Sequence, residues 1–309
     1  MSRFGLLLKS YRDDFDYAQR LIASFHEHNP ANMMLYCVVP NEDLELFAPL
    51  AAPTVTVMSE EPLSSYFTSD YVHGIRPGYI NQEIVKLAFW ELNLVENYFC
   101  VDSDAVFVRD ITMSDFIAPD GFPYTVLVED NELKVEPQYY RTYWRSREAA
   151  VRGIAQEVGL SQDVLRTCHG HQVFSSTVLR SFKEDFLKSR DWSYLDALFF
   201  APYEFTWYNM WLQKTGVIPI HQREPMVKVF HHEAQHLEYI LRGVTSEDIA
   251  RGYLAIVINS NYSRDLGVTP IDESKPQSLS HYLSYREVAS VLKEKMRSSV
   301  SRFLRRTPS

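Results

Sequence analysis

An apolar run that ends in two carboxylates constrains the fold of this chain more than any other feature. The segment Asn97–Asp110 reads NYFCVDSDAVFVRD, so the apolar residues 98–101 lead to Asp102 and Asp104, and a second apolar run follows at 105–108. A strand that is covered on both faces is continuously hydrophobic, which identifies 98–101 as a buried strand. The two aspartates are therefore expected at the end of a strand.

The spacing of the two acids constrains their chemistry. Side chains at i and i+2 point to opposite faces of a regular strand, so both acids reach one ligand only if the chain bends at Ser103. Two carboxylates leave most of an octahedral shell for phosphate and water, which suits Mg²⁺ or Mn²⁺ shared with a diphosphate. A solvated turn is the alternative explanation, and the flanking strand favours the metal site.

Strand and helix patterns alternate along the chain. Apolar runs predict strands at 4–8, 33–39, 54–58, 122–129 and 254–258, and apolar residues at helical spacing predict helices at 16–29, 42–47, 78–94 and 175–186. Such alternation is typical of an α/β fold, with a mostly parallel sheet that is flanked by helices and joined by right-handed crossovers.

The carboxyl edge of this sheet is expected to collect polar side chains. The loop after the first strand and the start of the helix 78–94 both lead to this edge, which places Arg76, Tyr79, Gln82 and Lys86 near the two aspartates. Lys86 has two interpretations, a cation that neutralises a diphosphate or a solvated lysine on a surface helix. The sequence leaves both open.

Three segments in a fixed order resemble a known superfamily. The order KSYRDD, GYINQEIVKLAFWE and FCVDSDAVFVRD resembles bacterial glycosyltransferases of the GT-A fold, especially an uncharacterised family of DxD proteins. The resemblance covers residues 1–130 well and the remainder more loosely. It implies a GT-A-type, Rossmann-like sheet, with a nucleotide-binding half at 1–130 and an acceptor half at 131–280.

The resemblance also implies roles for individual residues. What resembles Asp104 binds the divalent metal, what resembles Asp102 touches the ribose or the metal, and the loop after the first strand holds the nucleoside base. The residues expected to bind the donor are therefore Ser10, Tyr11, Asp13, Arg76, Gln82, Lys86, Asp102 and Ser103.

Two later residues complete the expected site. Glu204 lies in an aromatic segment, and such a setting raises a carboxyl pKa and suits a general base that deprotonates an acceptor hydroxyl. A helix N-terminal acid is the alternative. Many GT-A enzymes return a late histidine to the metal, which implies His231 as a third ligand, with His232 in reserve, and favours manganese over magnesium.

The segment Cys168–Phe174 carries two further histidines, His169 and His171. It resembles the segment that returns to the sheet beneath the sugar pocket in GT-A enzymes. No matching Cys/His pair is nearby, so hydrogen bonding to sugar or acceptor hydroxyls is expected rather than zinc binding.

Charge and cysteine usage exclude several classes of protein. The net charge of −9 argues against a general nucleic-acid binder. Cys37, Cys100 and Cys168 are far apart and are expected to be buried thiols rather than a disulfide framework. The N-terminal apolar run is too short for a signal peptide and no run is long enough for a membrane span, so a cytoplasmic location is expected.

The C-terminal residues 281–309 differ from the rest in charge. Seven Lys and Arg residues follow Tyr285, and the apolar residues share one face, which predicts a basic amphipathic helix at 285–306. This helical extension is expected to lie on the inner face of an anionic membrane, to pack on the parent domain, or to join a second subunit in a homo-oligomer. The sequence does not choose among these.

The predicted function is that of a metal-dependent glycosyltransferase. It would move a sugar from a nucleotide sugar to a hydroxyl of a saccharide or lipid-linked saccharide, in surface polysaccharide or glycolipid synthesis. A nucleotidyltransferase or phosphotransferase is a second hypothesis, although the chain has no glycine-rich triphosphate loop. A carbohydrate-binding protein without catalysis is the third.

Overall fold

The computed structural model describes residues 2–128, 145–161, 164–168, 170–230, 239, 242–258, 289 and 293. The chain divides into two compact units, Met1–Ser103 with Ile111–Pro225 and Asp104–Asp110 with Met226–Ser309. The predicted boundary at residue 280 and nearly all of the predicted basic helix lie outside the described residues.

Strands and helices are numbered along the chain. The described strands are β1 (Ser2–Lys9), β2 (Leu35–Val39), β3 (Val55–Ser59), β4 (Val95–Val101), β5 (Ala105–Phe107), β6 (Tyr124–Val126), β7 (Val173–Ser175), β8 (His221–Arg223), β9 (Val227–Phe230) and β10 (Ala255–Ile258). The described helices are α1 (Phe15–Glu27), α2 (Leu44–Phe47), α3 (Pro77–Ala88), α4 (Arg145–Glu157), α5 (Ser176–Ser181), α6 (Tyr194–Phe200), α7 (Glu204–Thr215) and α8 (Ser246–Ala250).

The first unit is built on a five-stranded sheet in the order β3-β2-β1-β4-β7. The first three pairings are parallel, with Leu6 opposite both Leu35 and Phe99, and β7 runs antiparallel to β4. A second sheet pairs β6 with β8. The prediction of an α/β fold with a mostly parallel central sheet flanked by helices is confirmed.

The central strands form because both of their faces are covered. Leu6, Leu7 and Leu8 are 0%, 1% and 0% exposed, as expected for a parallel strand between two layers. Gly5 allows close packing at this point, because a Cβ atom there would come within 2.9 Å of the Tyr36 ring. Any larger residue would push β1 and β2 apart.

Each face of the sheet carries its own aromatic packing. On one face, Tyr98 and Phe174 lie in a buried cluster with residues of α3, α4, α5, α6 and α7. On the other, Phe116 packs against Phe4 and Phe99, with ring centroids 4.8 and 5.0 Å apart. The first of these layers meets the end of β4 at Lys86 of α3, which pairs with Asp102.

The bounds of most predicted elements shift by one or two residues in the structure, and three differ by more. The helix predicted to reach residue 94 ends at Ala88, because a 3-10 turn follows and Asn93 takes a left-handed φ of 55°. The helix predicted at 175–186 begins one residue later, since Ser175 pairs with Asn97 in the sheet, and it gives way to a π-helical turn at Phe182–Leu187. Of the strand predicted at 122–129, residues 122–128 are described, and among them the strand spans β6.

The second unit contains a three-stranded sheet in the order β5-β10-β9. β5 is antiparallel to β10, and β9 is parallel to it. Phe230, Ile249 and Ile256 form its buried cluster. The second apolar run of the opening segment therefore belongs to a different sheet from the first.

Two expectations about the whole chain can be compared with the described residues. All three cysteines are free and buried, which confirms the prediction of buried thiols. Among the described helices, none is long and apolar enough to cross a membrane.

Candidate functional site

The order of strands in the first unit locates a candidate site. β2 and β3 lie on one side of β1, and β4 lies on the other. In open α/β sheets, ligands bind beyond the carboxyl ends of the strands at the point where the strand order reverses. The residues that follow β1 and β4 are held together there, because the Ser103 hydroxyl donates a hydrogen bond to the Ser10 hydroxyl at 3.0 Å.

A polar cavity of about 120 Å³ lies next to the end of β4. Helix α3 supplies four of its walls with residues at i, i+3, i+4 and i+7, a spacing that puts side chains on one helix face. The cavity is lined by Tyr79, Gln82, Glu83, Lys86, Asp102, Arg147, Tyr203, Glu204 and Phe205. Four of the residues predicted from the sequence, Gln82, Lys86, Asp102 and Glu204, are thus brought together.

Lys86 is the centre of this arrangement. Its Nζ atom donates hydrogen bonds to Asp102 Oδ1 at 2.9 Å and to Glu204 Oε1 at 3.1 Å, and its side chain is only 6% exposed. Burial opposes the charged form, but the two carboxylates raise the pKa of Lys86 well above its usual value. The interpretation of Lys86 as a solvated surface lysine is therefore wrong.

Asp102 is held in its ionised form. Burial alone would raise its pKa, but Lys86 and then His171 lower the pKa of Asp102 to about 2. His171 Nε2 lies 3.5 Å from Asp102 Oδ2. Burial also lowers the pKa of His171 despite the nearby carboxylate, so this imidazole is neutral at pH 7. His171 thus faces Asp102, whereas His169 lies outside the described residues.

Glu204 lies in different surroundings from those expected. It is the first residue of α7 and is 6% exposed, and the neighbouring Trp207 and Tyr208 belong to the hydrophobic core. The carboxylate itself accepts a hydrogen bond from Lys86. Besides the aromatic residues expected from the sequence, α3 brings an ammonium group to the same point. Its role as a base stays a prediction.

Glu83 was not identified by the sequence reasoning. It is 2% exposed, and within the described residues neither of its carboxyl oxygens has a hydrogen-bond partner. Burial raises the pKa of Glu83 well above its usual value and Glu204 adds to the rise, while Lys86, the Tyr79 hydroxyl and Arg147 oppose it. The sequence signal for Glu83 was its spacing, because a residue four after Tyr79 and three before Lys86 lies on the same face of the helix as both.

Arg147 also lines the cavity. It belongs to the aromatic and arginine-rich segment 139–147, of which residues 139–144 lie outside the described residues. Its guanidinium group lies over the Tyr203 ring at 4.7 Å and donates a hydrogen bond to the Cys168 carbonyl at 2.8 Å. The cavity therefore has a second cation besides Lys86.

The loop after β1 is fixed by a separate set of contacts. Arg12 donates hydrogen bonds from its backbone and side chain to the buried Asp43, at 2.8 and 2.7 Å. Arg76 donates one to the Tyr11 hydroxyl at 3.1 Å, and both Arg76 and Asp13 are exposed. The roles predicted for Ser10, Tyr11, Asp13, Arg76 and Ser103 stay predictions, since these residues lie outside the described lining of the cavity.

The predicted metal ligands are not assembled by the described residues. Asp104 belongs to the second unit and His231 lies outside the described residues. Within the part of the chain that the structure describes, no three His, Cys, Asp or Glu side chains are grouped to hold a metal ion. Asp102 has the donor chemistry of the expected site, because an ionised carboxylate is the hard oxygen ligand that Mg²⁺ and Mn²⁺ prefer.

Fold and site define a mixed α/β protein whose mostly parallel sheet carries a cavity lined by charged side chains beside the end of β4. The chain belongs to a family described as a family of unknown function, DUF6492, whose model matches residues 5–239. No curated protein matches it.

Among solved structures, the chain is similar to the apo form of mouse xyloside xylosyltransferase 1. The sequence identity is 12% and the TM-score is 0.44, over 87% of this chain and 99% of that chain. A similarity at this level does not establish a shared activity.

Proposed function

We propose that this protein is a metal-dependent glycosyltransferase. It moves a sugar from a nucleotide-diphosphate sugar to a hydroxyl of a saccharide or lipid-linked saccharide. The observation that carries the proposal is the buried Lys86 ammonium, held between Asp102 and Glu204 where the strand order reverses. Fixed polar groups of this kind around a cavity suit the orientation of a bound sugar ring, because a few precisely placed polar groups orient a ligand in its pocket.

Two features support this assignment over a structural role for the cluster. Burying several charges is costly and rarely gains stability over apolar packing. The charges also border an open cavity rather than filling the space between helices. Perturbed titratable groups gathered in a cleft are characteristic of functional sites.

The metal part of the proposal rests on the sequence and on the ionised state of Asp102. Asp102 and Asp104 would supply carboxylate ligands, His231 would supply the third, and Mn²⁺ or Mg²⁺ would stabilise the departing diphosphate as a Lewis acid. The protein's own contribution is to keep Asp102 deprotonated, which the Lys86 contact supports.

Glu204 is the proposed general base toward the acceptor hydroxyl. A base on the acceptor side implies a direct displacement with inversion at the anomeric carbon. For that step Lys86 would transfer one of its hydrogen bonds from Glu204 to the substrate, leaving the carboxylate free to accept a proton.

The test is a hydrolysis screen of UDP, GDP and ADP sugars with the full chain, with and without Mn²⁺, followed by NMR of the released sugar. Metal-dependent release of sugar and nucleoside diphosphate is expected, with loss of activity in Asp104→Ala. Hydrolysis that is equally fast in Asp104→Ala would remove the metal assignment.

The same assay separates the other hypotheses. Release of pyrophosphate from a nucleoside triphosphate would favour a nucleotidyltransferase. Sugar binding without turnover of any donor, and without metal-dependent binding of UDP or GDP by calorimetry, would favour a non-catalytic carbohydrate-binding protein.

A further inference from the structure

Glu83 is the one carboxyl group of the cavity that lacks a hydrogen-bond partner. Asp102 and Glu204 both accept hydrogen bonds from Lys86, whereas within the described residues neither oxygen of Glu83 accepts a hydrogen bond of normal geometry, although the Tyr79 hydroxyl lies near enough to lower the pKa of this carboxyl group. A buried polar group without a partner destabilises the folded state. Such a group requires an explanation, and a bound ligand is one that the cavity makes available.

The charges around the cavity are balanced without Glu83. Asp102 and Glu204 carry the negative charges, and Lys86 and Arg147 carry the positive ones. Burial raises the pKa of Glu83 well above its usual value, which favours the protonated form of this carboxyl group. A protonated carboxyl group both donates and accepts a hydrogen bond, which is also what a sugar hydroxyl does.

The size of the cavity limits what it can hold. At about 120 Å³, it is well below the roughly 300–1,000 Å³ of clefts that enclose drug-sized ligands. It has room for one edge of a sugar ring with its hydroxyls and not for a whole nucleotide sugar. Its balanced charge also fits an uncharged ring better than a diphosphate.

We propose that Glu83 determines specificity in this cavity by exchanging hydrogen bonds with the hydroxyl groups of a neutral sugar ring. This rests on the proposed function and adds the class of sugar, because a ring bearing a carboxylate would meet Asp102 and Glu204. Glu83 contacts the ring directly, while Lys86 and Gln82 complete the walls around it.

The test compares Glu83→Leu and Glu83→Gln in the full chain. Binding of UDP, UDP-glucose, UDP-glucuronic acid, GDP and GDP-mannose is measured by calorimetry. Methyl glucoside and methyl mannoside are measured separately by saturation-transfer NMR. Glutamine keeps a donor and an acceptor, so we expect its dissociation constants to stay within about threefold of the original. Leucine removes both, and we expect binding of the neutral sugar to weaken at least about tenfold, with UDP and GDP unchanged.

Several outcomes would overturn the assignment. These are equal weakening of nucleotide and nucleotide sugar by Glu83→Leu, loss of sugar binding in Glu83→Gln, equally tight binding of UDP-glucuronic acid, or no binding of any neutral sugar by the original protein. If Glu83→Leu does not fold, the binding of sugars by Glu83→Gln and the binding of UDP-glucuronic acid by the original protein still test the role of Glu83. Exposed Glu184, which pairs with Lys188, provides the matched control as Glu184→Gln, which is expected to change no dissociation constant.

Failure of the proposed function is distinguishable from failure of this inference. Methyl glycosides that bind in a Glu83-dependent manner, without any nucleotide binding, would leave the assignment of Glu83 standing and overturn the glycosyltransferase. Nucleotide sugars that bind tightly and independently of Glu83 would support the glycosyltransferase and overturn the assignment of Glu83.

Discussion

Two lysine and carboxylate clusters in the first unit differ in how completely their hydrogen bonds are satisfied. Around Glu91, the hydroxyls of Tyr66 and Tyr194 each donate to the carboxylate at 2.8 Å, and Lys183 Nζ donates to it at 2.6 Å. Trp90 donates in turn to the Tyr194 hydroxyl at 3.0 Å. Both oxygens of Glu91 are therefore occupied by protein groups.

The cluster around Lys86 is built from similar groups but is left incomplete. Glu83 has no hydrogen-bond partner within the described residues, and the cluster borders a cavity. A fully satisfied polar network gives rigidity, whereas a partly satisfied one is costly unless something else completes it. The comparison indicates that the Glu91 cluster holds α6 and the π-helical turn in place, and that the Lys86 cluster is arranged for a ligand.

The largest effect is expected for Lys86→Met. Removing the ammonium leaves the buried Glu204 and the adjacent Asp102 without their cation, and breaking a buried pair costs about 3–5 kcal/mol in the free energy of unfolding. Hydrolysis of nucleotide sugars should fall by about 100-fold or more. Urea denaturation and the hydrolysis assay measure the two effects.

The double variant Lys86→Met with Glu204→Leu separates structure from function. It should recover part of the lost stability, because the buried pair of Lys86 in α3 and Glu204 in α7 is removed as a whole, and it should stay inactive. Lys188→Met is the control, since this lysine is 59% exposed, and should change stability by less than about 0.5 kcal/mol. Activity retained in the double variant would remove Lys86 from the site.

The next largest effect is a loss of stability in the Glu91 cluster. Glu91→Ala removes the acceptor of three hydrogen bonds, and the free energy of unfolding should fall by about 2–3 kcal/mol. Binding and hydrolysis of nucleotide sugars, measured at a temperature where the variant is folded, should be unchanged. A variant as stable as the original that binds substrate poorly would reverse the roles assigned to the two clusters.

The dependence of stability on pH tests the environment of Glu83 in the Lys86 cluster. The pKa of Glu83 is raised in the folded state, so its contribution is fully present below the usual glutamate pKa of about 4.3 and is lost as the pH rises through the folded value. Glu83→Gln does not titrate. Its stability relative to the original protein should therefore increase with pH above about 4.3, by at most about 1.4 kcal/mol per pH unit. Urea titrations from pH 4 to pH 8 measure this difference, and a constant difference would show that Glu83 ionises normally.

The smallest effect is expected at the exposed contact between Tyr11 and Arg76. Their hydrogen bond of 3.1 Å lies at the surface, so Tyr11→Phe should change the free energy of unfolding by less than about 0.5 kcal/mol. Thermal unfolding is the measurement. A loss above 1 kcal/mol would mean that the loop after β1 depends on this contact.

The sequence predicted the strands better than the site. The strand at 4–8 was recognisable because both of its faces are buried, and a parallel strand so placed is apolar throughout. The bounds of α3 were harder, because the apolar spacing continues through the 3-10 turn after Ala88.

The composition of the site depended on contacts that a linear sequence does not display. Lys86 and Glu204 are 118 residues apart, and nothing in either segment indicates that they pair. Glu83 was missed because a glutamate on an amphipathic helix normally lies on the exposed face. The D-x-D triplet was recognisable as the end of a strand. The sequence did not indicate that its second aspartate, Asp104, begins a segment of the second unit.

The most direct test of the account is a crystal structure of the full chain with Mn²⁺ and the nucleotide sugar selected by the hydrolysis screen. We expect the nucleotide to bind beyond the carboxyl ends of β1 and β4. The sugar ring should enter the cavity, with its hydroxyls within hydrogen-bond distance of Lys86 and Glu83. A nucleotide sugar bound elsewhere, with the cavity filled only by water, would contradict it.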